Sequence, residues 1–233
     1  MEPKRIVSID KEAKIQKRIH ARLRELGWFV KQTHGNEFTC GFPDTFAAHL
    51  RHGCRWIETK RPNYQSFTEA QLRDFPLFSN NGAGVWILTG EDDWEIGKLF
   101  KYNNWWSYLQ VNKHHTKYRS KVLKEPKESR TPSRGPEWTI QEAGRIVLEA
   151  NGWFVKNTHG NIYSYGFADQ FATHKKYGQR WIEYKNPVNY QFTPAQIEFF
   201  PQFNAAGVGV WVCTSSSQVP DILFKPHNWR NYL

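Results

Sequence analysis

GFPDTFAAHLRHGCRWIETKRP, Gly41 to Pro62, is the stretch on which the reading of the fold turns. DTFAAHL and CRWIETK are apolar-rich runs on either side of Arg51-His52-Gly53, the pattern of a β-hairpin. Strand side chains alternate between faces. Trp56, Glu58 and Lys60 therefore share one face, and Ile57 and Thr59 share the other, with Glu58 and Lys60 about 6.6 Å apart along the chain. Asp44, on the partner strand ahead of the turn, can reach the same spot. Two carboxylates converging beside an ammonium are out of place in a dry core. They suit a divalent cation, because Mg²⁺ is a hard ion that takes a few carboxylate oxygens and keeps several waters. The Thr59 carbonyl is a natural extra ligand. A lysine alongside can orient a water or offset charge on a pentacovalent phosphate.

A single Asp…Glu-x-Lys set arises by chance in many chains, but this chain carries the set twice. GWFVKQTHGNEFTCGFPD at Gly27 returns as GWFVKNTHGNIYSYGFAD at Gly152, and RWIETKRPNYQSFTEAQ returns as RWIEYKNPVNYQFTPAQ. The offset of 125 holds without a gap to Trp86 and Trp211; near the ends, NNWWSYL meets HNWRNYL at an offset of 124. Asp169, Glu183 and Lys185 thus repeat Asp44, Glu58 and Lys60. Their neighbours have diverged: Thr45 is matched by Gln170, Cys54 by Gln179 and Thr59 by Tyr184. Units of this length are single-domain size. The expected organisation is a first domain over 11–110, a linker over 111–136 and a second domain over 137–233. The linker is rich in Lys, Arg, Ser and Pro; it reads equally as a solvated connection or as a segment lying along a phosphate backbone.

Outward from the hairpin, each unit opens with a helix. Ile15, Ile19, Leu23 and Leu26 form one apolar stripe, closed by Gly27. Ile140, Val147 and Leu148 carry a weaker stripe, closed by Gly152. WFVKQTH is a first strand, FTEAQLRDFPLFSNNG a second helix starting at Thr68, and AGVWILTG a short apolar strand parallel to a neighbour. The order is α-β-β-β-α-β, an α/β unit with a mixed sheet flanked by helices. Glu12 stands three residues before Ile15, and Glu137 three before Ile140. Each acid lies on the inward side of its helix, where the carboxylate site is the obvious partner.

Gln71 and Gln196 close the capping boxes begun by Thr68 and Thr193, and an added role at the carboxylate site is compatible with that. THGN, containing His34 and again His159, joins the first strand to the Asp-bearing strand. Gly and Asn suit a turn there; the two histidines are candidates for phosphate contact or proton transfer. The paired tryptophans Trp28/Trp153, Trp86/Trp211 and Trp105/Trp229 read as core.

The chain has 233 residues, 39% hydrophobic and 16% aromatic, and a net charge of +10. That balance favours an anionic partner, nucleic acid first. The three cysteines have no CxxC spacing and no counterparts in the other copy, so neither a disulfide framework nor a zinc site is expected. MEPKRIVSIDKEAK is charged and lacks an apolar signal-peptide core. No apolar run is long enough to span a bilayer. An intracellular protein of the cytoplasm, nucleoid or nucleus, neither secreted nor membrane-bound, is expected.

These residues resemble the PD-(D/E)XK nuclease superfamily and, within it, the VRR-NUC group, which is Holliday-junction-resolvase-like. The likeness rests on Glu12-Ala13-Lys14-Ile15-Gln16 (one residue longer than the group's ExxIQ), GFPD, WIETKRP, FTEAQ and NNGAGVWIL. It is repeated in GFAD, WIEYKNP, FTPAQ and AAGVGVWV, and covers most of each unit. The resemblance implies two tandem αβββαβ restriction-endonuclease-like domains forming an intramolecular pseudo-dimer. It implies Mg²⁺-dependent phosphodiester hydrolysis, with Mn²⁺ as substitute. Asp44, Glu58, Asp169 and Glu183 would be metal ligands, Lys60 and Lys185 would stand at the water, and Glu12 and Glu137 match the group's first acid. Gln71 and Gln196 match its later glutamine. Ala168, where the first copy has Pro43, is the departure. The expected activity is a DNA endonuclease, a monomer with two active sites able to cut two strands of branched or specific-site DNA. A homing- or restriction-type enzyme, and a non-catalytic DNA-binding module that retains the fold, are the alternatives.

Overall fold

The structure is a computed structural model that describes residues 11–33, 41–62, 65–109, 135–158 and 165–232. His34, Cys40, His159 and nearly all of the basic linker lie outside these residues. In chain order the elements are α1 (Glu12–Glu25), β1 (Phe29–Gln32), β2 (Thr45–His49), β3 (Gly53–Thr59), α2 (Glu69–Asn80), β4 (Val85–Leu88), α3 (Asp93–Gly97) and α4 (Trp105–Leu109). They continue with α5 (Pro136–Ala150), β5 (Phe154–Asn157), β6 (Gln170–His174), β7 (Gly178–Tyr184), α6 (Pro194–Ala205), β8 (Val210–Cys213) and α7 (Val219–Ile222).

The expected α-β-β-β-α-β order is present in both halves, as two four-stranded mixed sheets ordered β1-β2-β3-β4 and β5-β6-β7-β8. β2 and β3 are an antiparallel hairpin with Thr45 opposite Ile57, and β4 lies parallel to β3 after the α2 crossover. β6 to β8 repeat this register. The motifs α3, α4 and α7, which follow the last strands, have no strong periodicity in the sequence.

Local chemistry sets the helix ends. Gly27 has φ 81°, and its N–H donates to Arg24 O while Trp28 N–H donates to Leu23 O. This Schellman arrangement satisfies the last carbonyls of α1 and needs a residue tolerant of positive φ. Gly152 and Trp153 repeat it on α5. Leu26, which the spacing placed on the stripe, is instead the C-cap of α1 and is exposed, because the helix has already ended. On α5 the inward residues are Gln141, Gly144 and Leu148, with Ile140 and Val147 only partly buried.

Each sheet has two covered faces. In the first half, Ile15, Ile19 and Leu23 of α1 pack on Ala47, Ile57, Trp86 and Leu88. The opposite face carries Phe46, Trp56, Val85 and Ile87. These join Phe75 and Phe78 of α2 and their counterparts Phe171, Trp181, Phe200, Phe203, Val210 and Val212 in one cluster. The contacts are reciprocal. Phe46 lies 5.1 Å from Trp181 and Trp56 lies 4.9 Å from Phe171; Phe29 lies 4.9 Å from Phe203 and Phe154 lies 5.2 Å from Phe78. The paired tryptophans are all buried. Among the described residues, no helix is long and apolar enough to cross a membrane.

Candidate metal centres

In the first half, Asp44 sits where the chain runs into β2. Thr33 N–H donates to its carbonyl at 2.9 Å, which ties the end of β1 to the Asp-bearing loop. The Asp44 carboxylate accepts the Thr59 N–H at 2.9 Å, and the Asp44 N–H donates to Glu58 at 3.1 Å. Glu58 Oε1 accepts from Lys60 Nζ at 2.5 Å and from Gln71 Nε2 at 2.6 Å. Hairpin register brings Asp44 beside Glu58, and the crossover through α2 brings Gln71 onto Glu58. Gln71 also accepts the Thr68 N–H and gives its own N–H to the Thr68 hydroxyl. Capping the helix and holding the carboxylate are thus done by one side chain.

Glu12, on the first turn of α1, points one oxygen to 4.0 Å from Lys60 Nζ. Glu12, Asp44 and Glu58 each offer an oxygen within 4.8 Å of the others. Asp44 and Glu58 are buried, whereas the Glu12 side chain is 43% exposed. Burial, followed by the charge of Glu58, pushes the Asp44 carboxyl well above the usual carboxylate range. Burial works against the Lys60 ammonium, but Glu58, in contact with it, raises its pKa overall.

The second half rebuilds most of this. Thr158 N–H donates to Asp169 O at 3.0 Å, and the Asp169 carboxylate accepts the Tyr184 N–H at 2.6 Å. Glu183 Oε1 accepts from Gln196 Nε2 at 2.7 Å and pairs with Lys185 Nζ at 2.6 Å. The Thr193–Gln196 capping box is present as well. Glu137 is placed differently from Glu12: its Oε1 accepts the Asn186 N–H at 3.1 Å. Among the described residues the second half has no trio of acids like that of the first. Burial raises Asp169 to about 7, helped by the charge of Glu137; burial and then the charge of Asp169 raise Glu183 to about 8.

A divalent cation fits these donors. Glu183 Oε2 is buried with no hydrogen-bond partner among the described residues. A buried carboxylate oxygen in that position lacks either a proton or a cation. All the donors are oxygens, which suits Mg²⁺ or Mn²⁺ over softer ions. The structure therefore brings together Glu12, Asp44, Glu58, Lys60 and Gln71 in one half, and Asp169, Glu183, Lys185 and Gln196 in the other. His34 and His159 fall outside the described residues. Asn186, which occupies Glu137, had no sequence signal, since its counterpart is Arg61.

No family model matches the chain, and no curated protein matches it. Among solved structures, one described as a VRR_NUC domain is similar to part of it. The two are 26% identical over 34% of this chain and 85% of that chain, with a TM-score of 0.31.

Proposed function

We propose that the chain is a divalent-metal-dependent DNA endonuclease, an intramolecular pseudo-dimer with an active site in each half. The observation that carries this reading is the double assembly of one buried set. Asp44, Glu58, Lys60 and Gln71, and then Asp169, Glu183, Lys185 and Gln196, come from the same hairpin strands, strand ends and crossover helix of two matching units, with Glu58 and Glu183 held by the same glutamine and lysine contacts. Apart from the sheets' own core, buried acids in such a set are kept at a cost unless they hold something.

Glu12, Asp44 and Glu58 would hold the cation in the first half, and Asp169 and Glu183, with Glu137 near, in the second. When bound, Mg²⁺, or Mn²⁺ in its place, polarises a phosphoryl oxygen and lowers the pKa of a water. The chain's own groups do the rest. Gln71 and Lys60 both donate to Glu58 Oε1 and the Asp44 N–H donates to Oε2, which fixes the carboxylate and the direction of its remaining lone pairs. The Lys60 ammonium, kept charged by Glu58, stands where it can offset negative charge on a phosphate. The +10 net charge supplies salt-dependent attraction to a nucleic-acid backbone. Two sites in one chain suit two strands, on branched or specific-site DNA.

The test is a panel of linear, flapped and four-way DNA incubated with Mg²⁺ or Mn²⁺ and with a chelator. The proteins compared are wild type, Asp44→Asn, Asp169→Asn and the double variant. Each single variant is expected to nick one strand only and to lose about a thousandfold at the other, several kcal/mol of stabilisation. The double variant should be silent. Binding without cleavage on every substrate would leave a DNA-binding module and sink the nuclease reading.

A further inference from the structure

Lys31 and Lys156 occupy the same position in β1 and β5, and neither was read as functional from the sequence. Each shares a strand face with a phenylalanine that enters the common core: Phe29 against Phe203, and Phe154 against Phe78. The lysines therefore project towards the other half. Lys156 Nζ lies 4.9 Å from the Phe42 ring and 2.5 Å from the Asp74 carboxylate. Lys31 Nζ lies 4.9 Å from the Phe167 ring and 3.6 Å from the Phe199 ring, and it donates to the Tyr165 carbonyl.

Phe42 stands two residues before Asp44, and Phe167 two before Asp169. Asp74, buried on α2, is packed hard against the same loop: a Cβ added at Gly41 would lie 2.0 Å from its Oδ2. Lys156 thus holds Asp74, and Asp74 bounds the loop Gly41-Phe42-Pro43 that delivers Asp44. Thr33, two residues beyond Lys31, fixes its own half's loop by donating its hydroxyl to Pro43 O. Thr158 does the same to Ala168 O. The end of each first strand therefore touches both Asp-bearing loops, its own through a threonine and the other half's through a lysine.

We infer that Lys156 and Lys31 are positioning residues in trans, each setting the acid of the opposite half's site. The inference rests on reading Asp44 and Asp169 as cation ligands. The two contacts are unequal. Asp74, held by Arg73 and Lys156, is a charged anchor. Its counterpart is Phe199, so among the described residues Lys31 contacts a carbonyl and two rings and has only the more distant charge of Glu198. Losing Lys156 should matter more than losing Lys31.

The test reads Mn²⁺ binding by calorimetry, with one site present at a time. With Asp169→Asn only the first site remains, and Lys156→Met is expected to weaken Mn²⁺ there about tenfold, the scale of lost outer-shell support. With Asp44→Asn only the second site remains, and Lys156→Met should leave its affinity within about twofold of its parent. Lys31→Met should show the opposite pattern with a smaller loss. Lys156→Arg, which keeps a cation at Asp74, should recover most of the affinity, which general loosening of the core would not allow. If Lys156→Met does not fold, Asp74→Asn takes its place with the same site preference. Losses in the lysine's own half, or equal losses in both sites, would overturn the inference. An absence of Mn²⁺ binding in the wild type would overturn the metal reading instead.

Discussion

At the candidate sites the two halves carry the same acids, Glu12, Asp44 and Glu58 against Glu137, Asp169 and Glu183, yet their neighbours differ. In the first, Glu12 turns in towards Asp44 and Glu58; in the second, Glu137 accepts a backbone N–H from Asn186. Behind the sites, Ile19 and Thr59 of the first half are matched in sequence by Gly144 and Tyr184 of the second. The bulk has moved from the helix to the strand: a Cβ at Gly144 would stand 2.5 Å from the Tyr184 hydroxyl. Tyr184 then gives its hydroxyl proton to Gln170, whereas the Thr59 hydroxyl is buried without a partner among the described residues. The pair shows that bulk under the site strand comes mainly from the helix in one half and from the strand in the other, an exchange a close-packed interior allows. It also shows that a repeated acid is not a repeated contact.

Four measurements would break or sharpen that comparison. The largest effect is expected from Trp56→Ala in the common aromatic cluster, at about 3–5 kcal/mol. Calorimetry should show a single transition at lower temperature, because Trp56 contacts Phe171 and Trp181 of the other half. Two separate transitions, with the second unmoved, would mean that the halves are independent.

Next, Gly144→Ile should destabilise by about 1–3 kcal/mol through overpacking against Tyr184. Adding Tyr184→Thr, which transplants the first half's pair, should recover most of the loss in chemical denaturation. No recovery would refute the volume exchange.

A smaller effect separates the two helix acids. Glu12→Gln should weaken Mn²⁺ at the first site about tenfold, or roughly 1.4 kcal/mol, while Glu137→Gln should change the second by less than about twofold. Equal losses would show that Glu137 leaves Asn186 when a cation arrives.

The smallest effect concerns pH. Asp169 and Glu183, raised to about 7 and about 8 mainly by burial, take up protons in the cation-free fold as pH falls through that range. Their folded values lie above the unfolded ones, so their stabilisation is complete below about pH 4 and is lost as pH rises through the folded values. With chelator present, the melting temperature should fall by a few degrees between mildly acidic and alkaline buffer, and Asp169→Asn should flatten the decline. Mn²⁺, which binds the ionised carboxylates, should reverse the trend. A rise with pH in chelator would contradict the assignment.

Much of this was legible in the sequence because local chemistry is repeated and specific. Gly27 and Gly152 marked helix ends, Arg51-His52-Gly53 marked the hairpin, and Thr68 with Gln71 marked a helix start. The hairpin face, read by alternation, correctly put Glu58 and Lys60 together. Gln71 on Glu58 was half legible: the cap follows from spacing, but the reach to the carboxylate depends on where α2 crosses the sheet. The contacts between halves were not legible at all. Phe46, Trp56, Phe78 and Lys31 carry no mark in the sequence of the other half, because nothing in a single unit's pattern says which face meets its copy. Glu137 was misleading in its own way, since its spacing matches that of Glu12 while its partner, Asn186, sits on a segment that has diverged.

The interdigitated rings of the common cluster have a further consequence for the reaction products. A packed interior has little compliance, so it would act as a caliper between the two scissile positions. On the proposed reading, the nicks on opposite strands should be separated by a constant number of nucleotides whatever the flanking sequence. Sequencing of the cut ends would read that stagger directly, and a cavity opened at Trp56 or Trp181 should broaden its distribution before it abolishes cutting.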